Sequence, residues 1–148
     1  MAQNLWGEIV AETKLKLPVT ILNEQATILG EVTNRILEAV VESTVPSKKG
    51  LLSYGLFIVA PALNNYKYNV LDIEHDIVFA YPVSVYDVVG PSDVLDIDES
   101  DAEKVVCNSE EEFLQKLGQL LSSEQVHKII ESLIAQSKAS TAMNSRSE

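Results

Sequence analysis

Cysteine is nearly absent: Cys107 stands alone in 148 residues. A single thiol excludes an internal disulfide and any multi-cysteine metal site. Histidine is as scarce, with His75 and His127 alone, so a site that gathers several imidazoles is excluded within one chain. Six glycines occur. They form no glycine-rich phosphate loop and no Gly-x-Ser-x-Gly elbow, and no His-Glu-x-x-His helix is present. Long apolar runs are missing too. The longest, around Leu56–Leu63, contains Pro61 and falls far short of the roughly 20 residues that cross a bilayer. The amino terminus has no basic start followed by an apolar stretch, so no secretory signal is expected. Basic clusters are few, and the one adjacent pair is Lys48-Lys49. Nucleic acid and anionic lipid reward clustered Lys and Arg, so neither is an expected partner. The expectation is a soluble, cytoplasmic protein with no cofactor.

What the chain does have is concentrated acid. Residues 72–112 hold thirteen of the 22 acidic side chains and one base, Lys104. Residues 1–71 balance six acids against six bases, and residues 113–148 carry three acids and four bases. The formal charge of −11 therefore comes from one stretch of an otherwise neutral chain. A hydrophobic fraction of 46 % with 22 % charged residues suits a globular protein, and this length can bury one core without staples.

Periodicity outlines the elements. Leu5, Trp6, Ile9 and Val10 fall at helical spacing and predict a short helix over 4–13. Pro18 is placed to open a second helix, with Leu22, Ala26 and Leu29 as its stripe and Ile21, Gln25 and Ile28 beside it. From Ile36 to Val45 the period becomes two, as in a strand. Pro46–Gly50 reads as a turn. Leu51–Ala60 is apolar on both faces and reads as a central strand. Tyr68–Ile73 and Ile77–Tyr86 read as third and fourth strands, with Pro82 marking the fourth as an edge or a bend. Residues 90–108 read as a long irregular acidic connection.

The last third gives the clearest pattern. Ser109 followed by Glu110, Glu111 and Glu112 is a capping box with acids in the first turn. Phe113, Leu114, Leu117, Leu120 and Leu121 make one buried face. Ser122-Ser123 caps a second helix carrying Val126, Ile129, Ile130, Leu133 and Ile134. Residues 137–148 are small and polar and read as a disordered tail. The expected class is α+β: a four-stranded antiparallel meander flanked by two N-terminal helices and a C-terminal helical hairpin, in the order α-α-β-β-β-β-α-α. Residues 1–136 form the single domain of this reading. Both sheet faces are expected to need cover, from helices on each side or from a homodimer through one sheet face.

Two sets of site residues follow. Asp93, Asp96, Asp98, Glu99, Asp101 and Glu103 form an acidic surface suited to a basic protein partner, because clustered carboxylates speed such encounters. Asp96, Asp98 and Ser100 also fit the first positions of a calcium loop. Asp101 then stands where that loop needs glycine and Cys107 where it needs glutamate. His75 has carboxylates around it in Asp72, Glu74 and Asp76, but strand alternation sends them to the other face. With Tyr54, Tyr68 and Tyr81 it would line a pocket between the sheet and a helix pair. Cys107 sits before a helix, where a thiol pKa can fall, but three glutamates oppose the thiolate. The expected function is a non-enzymatic adaptor or neutralising module that binds another protein. The alternative is a small-molecule-binding protein or enzyme using the pocket.

Overall fold

A computed structural model describes residues 2–87, 90–91 and 103–146. It is an α+β protein. The order is α1 (Pro18–Val32), β1 (Glu38–Ser43), β2 (Leu51–Ala60), a 3-10 turn (Pro61–Leu63), β3 (Tyr66–Asp76), β4 (Val83–Asp87), β5 (Gly90–Pro91), β6 (Glu103–Cys107), α2 (Glu110–Leu121) and α3 (Glu124–Arg146). The main sheet runs β1-β2-β3-β4-β6, with every pair antiparallel, and the two-residue β5 pairs β3. No helix among the described residues is long and apolar enough to cross a membrane.

Among the described residues the sheet therefore has five main strands where four are expected, and the chain has three helices where four are expected. The added strand is β6, inside the stretch read as connection. Val105 and Cys107 turn towards the core there, in register with Val85 and Val83. Pro82 does not mark an edge. The ladder begins after it, at Val83, and β4 lies between β3 and β6. Residues 77–80 belong to the preceding loop. The helix expected over 4–13 is absent. Leu5, Trp6, Ile9 and Val10 are exposed on an irregular arm, and an isolated segment of that length has no tertiary contact to hold it helical. The segment read as a polar tail continues as helix to Arg146. Ser137 is buried within it, and the Ser140 hydroxyl donates to the Ala62 carbonyl at 3.3 Å.

All three helices lie on one face. Leu56, Ile58, Leu71, Ile73, Val83 and Val85 of the sheet pack with Leu22 of α1, Phe113 and Leu117 of α2, and Val126 and Leu133 of α3. A bulge widens this face. Leu56 pairs Leu71 while Phe57 pairs Asn69, so Val70 has no partner and is buried beside Leu71. The opposite face carries Phe57, which is buried. The Phe57 ring lies close to Gly55, where an added Cβ would come within 2.8 Å of it. The Lys67 ammonium sits 5.5 Å from the ring centroid and pairs with Glu42. One aromatic is thus covered by its own polar neighbours.

Local rules account for the helix ends. Pro18 opens α1, and Leu17 before it is extended. The Ser109 hydroxyl accepts the Glu112 N–H at 3.2 Å, and the Glu112 carboxylate reaches back to the Asn108 N–H. Ser123 caps α3 by accepting from the Val126 N–H at 3.3 Å. Each cap contributes about 1 kcal/mol.

Candidate functional site

α1 packs over β1, whereas α3 packs over β2 and the 3-10 turn. The two helices leave a cleft of about 320 Å³ over β1, β2 and β3. Leu56, Ile58 and Val70 form its floor. Ile28, Leu29 and Val32 of α1 make one wall, and Leu121, Val126 and Ile130 of the helical hairpin make the other. Ala39 is the small β1 residue that leaves room at the base. Polar groups reach the cleft through Gln25, Thr33, His127 and Glu131.

The Thr33 hydroxyl is already committed to the backbone. It lies 2.8 Å from the Leu29 carbonyl and 3.0 Å from the Leu37 carbonyl, and accepts the Leu37 N–H at 3.3 Å. Gln25, His127 and Glu131 remain at the mouth. The floor is buried, but the α1 shoulder is not: Ile28 is 43 % exposed and Val32 71 %. An apolar side chain that stands out beside an apolar recess continues the recess onto the surface. Chemically the cleft excludes water from an apolar group and offers a few polar contacts at its lip. Among the described residues, no group of three or more His, Cys, Asp and Glu side chains could hold a metal ion.

None of His75, Tyr54, Tyr68 or Tyr81 lines this cleft. His75 lies in β3 with its ring centroid 6.4 Å from that of Tyr54. Its Nδ1 is 2.9 Å from the Asp76 carbonyl, so Nδ1 carries the proton and donates. Nε2 is buried and has no hydrogen-bond partner among the described residues. The neighbouring carboxylates do not converge on it. Glu74 accepts from the Ser47 N–H and hydroxyl, each at 2.8 Å, and Asp72 and Glu74 alternate to the other face.

Tyr81 donates its hydroxyl to the Lys16 carbonyl at 3.0 Å. Burial pushes its phenol up to about 12, with Glu110 and Cys107 adding to the rise. Tyr68 is raised by burial first, then by Tyr66 and Asp87. It sits in the first half of β3 in register with Ile58, whereas Tyr54 and His75 lie towards the other end of the β2–β3 ladder. Cys107 is buried, and burial with Glu112 raises its thiol while Lys116 partly opposes them. The result is a neutral thiol inside the core.

Asp93, Asp96, Asp98, Glu99 and Asp101 lie outside the described residues. Glu103 opens β6 in its backbone. The described chain enters that connection after Pro91 and leaves it at Glu103, which is in register with Asp87 across β4 and β6.

The cleft itself is not apparent in the sequence, because its walls read as ordinary core stripes. One signal was present. Ile28 and Val32 extend the apolar arc of α1 beyond the Leu22-Ala26-Leu29 stripe, and a helix with too wide an arc has more apolar surface than one packing partner covers. No family model, curated protein or solved structure matches this chain.

Proposed function

We propose that this chain is a non-enzymatic protein-binding module of the cytoplasm. Its cleft receives the apolar side of a partner segment, and its clustered acids attract that partner when it is basic. The observation that supports the reading is the open apolar cleft with Ile28 and Val32 standing exposed on its shoulder. A site for a small ligand encloses it, whereas a site for a helix or strand continues onto the rim. Charge supports the second half of the reading. The chain is −11 overall, and Glu131 lines the mouth, so a cationic segment is favoured in approach and in register.

A fluorescent cationic amphipathic peptide of Leu and Lys is the probe that tests this. It should bind with a Kd that rises with salt, while a Leu/Glu peptide of the same length should bind more weakly. Ala39→Phe fills the base of the cleft and should weaken the cationic peptide by about tenfold, or roughly 1.4 kcal/mol. Unchanged affinity in that variant would remove the cleft from the account.

The cleft volume supports a second reading. About 320 Å³ lies at the lower end of small-molecule pockets, and Gln25 and His127 could orient a polar head there. One-to-one binding of a neutral apolar dye, with no binding of either peptide, would favour that reading.

A further inference from the structure

Three segments without an acidic residue meet at one end of the sheet. They are residues 14–17 before α1, the β1–β2 turn over 44–50 and the β3–β4 loop over 77–82. Together they hold four of the chain's 11 Lys and Arg, as Lys14, Lys16, Lys48 and Lys49, and none of its 22 acids. In sequence these bases are scattered; the fold collects them. The Ile77 N–H donates to the Gly50 carbonyl at 3.0 Å, and the Tyr81 hydroxyl donates to the Lys16 carbonyl at 3.0 Å. Both bonds tie the loop to its neighbours. Apolar side chains stand out from the same segments. Val45 is 92 % exposed and Phe79 65 %, and Leu15, Ile77 and Val78 are exposed as well. Lys16 pairs with Glu24, whereas Lys14, Lys48 and Lys49 make no ion pair among the described residues.

We propose that this end docks on the surface of an anionic phospholipid bilayer. Val45, Ile77, Val78 and Phe79 enter the interface, and Lys48 and Lys49 hold headgroup phosphates. Projecting apolar tips with lysines among them suit that occupant. A protein partner would need a recess cut to their shape, whereas fluid lipid closes around any tip. Lysine suits the boundary, because its stem lies along apolar surface while its ammonium reaches the phosphate. The overall charge of −11 does not decide the matter, since exposed charges are screened over roughly 8 Å at physiological salt. The acidic connection is anchored farther away than that. Glu103 is four residues along β6 from Cys107, about 13 Å at the rise of a strand. Pro91 pairs with Tyr68, towards the opposite end of β3. Nearer carboxylates lie at the bases of the loops. Asp76 accepts the Val78 N–H at 2.9 Å, Glu74 accepts from Ser47, and Glu110 opens α2 on the Tyr81 side. They restrict entry to the tips, because anionic lipid repels a carboxylate carried deeper.

Sedimentation of the full chain with lipid vesicles tests this. Binding to phosphatidylcholine mixed with phosphatidylserine should exceed binding to phosphatidylcholine alone, and should fall as salt rises. Val78→Ser with Phe79→Ser should abolish it. Lys48→Gln with Lys49→Gln should weaken it about 25-fold, at about fivefold per lysine. All four positions are exposed, so both variants should keep the native denaturant midpoint and still bind the Leu/Lys peptide. No sedimentation with either vesicle would overturn the proposal, as would equal binding to both. So would unchanged binding in either variant, or binding kept in both and lost in Trp6→Ser, which assigns it to the arm. Self-association without vesicle binding, lost in Val78→Ser with Phe79→Ser, would make this end a protein interface and reject the bilayer. The cleft and this end fail separately. Peptide binding without vesicle binding rejects the docking and keeps the cleft, and vesicle binding without peptide binding does the reverse.

Discussion

At one end of the sheet Ile58 lies in the floor of a recess and is 3 % exposed; at the other Ile77 stands on a loop and is 58 % exposed. The contrast extends to their neighbours. Around Ile58, helices from both ends of the chain pack against the sheet and leave a concave gap. Around Ile77, two loops meet through the Ile77 N–H and the Gly50 carbonyl at 3.0 Å, and Val45, Val78 and Phe79 project outward. The same side-chain chemistry is stored where helices converge and displayed where strands turn. Shape, rather than composition, separates a surface that can receive a partner from one that can only be received.

Truncating the same residue type at both ends measures that contrast. Ile58→Ala should cost about 2–5 kcal/mol, since it removes buried methylenes and leaves the cleft floor hollow. Ile77→Ala should fall within roughly 0.5 kcal/mol of the parent. Denaturant unfolding of both variants reads the difference, and equal costs would mean that the loop end is packed in solution. Tyr81→Phe tests the tie between the loop end and the arm. It should lose about 1 kcal/mol, the net worth of one hydrogen bond, and free the arm root without altering the cleft.

A further effect is confined to high pH. The Tyr81 phenol is raised from its usual 10 to about 12, so the folded state holds its proton longer than the unfolded state. Its stabilising contribution is present below pH 10 and is lost as pH climbs from 10 towards 12. Absorbance titration should show Tyr81 ionising late, and Tyr81→Phe should flatten this part of the stability profile. An ordinary phenol titration in the folded protein would contradict the buried bond to Lys16.

The sequence made the α+β class legible, and it located the turns and caps best. Ser109 and Ser123 bond as capping residues because an N-cap is a local rule that needs only the next three residues. β2 begins and ends where its Gly50 and Pro61 punctuation places it. Errors arose where tertiary context decides. Leu5, Trp6, Ile9 and Val10 have helical spacing but no packing surface, and spacing alone does not make a short helix stable. β6 hides in an acidic stretch, where Val105 and Cys107 are the described side chains that pack on the core. Residues 137–146 look too polar for order, yet α3 carries them across the 3-10 turn. For the site, the sequence brought forward the tyrosines and His75 because those residue types carry chemistry. The cleft is formed by leucine, isoleucine and valine, whose role depends on which neighbours fail to reach them, and that is a property of the assembled helices.

The most direct test of the cleft as the binding site is an amide NMR titration of the full chain with the cationic Leu/Lys peptide. The account predicts shifts concentrated at Gln25–Thr33, Ala39, Leu56–Ile58 and Val126–Glu131, with Val45 and Ile77–Phe79 unmoved. Shifts confined to the loop end, or spread over the acidic residues with the cleft silent, would contradict it.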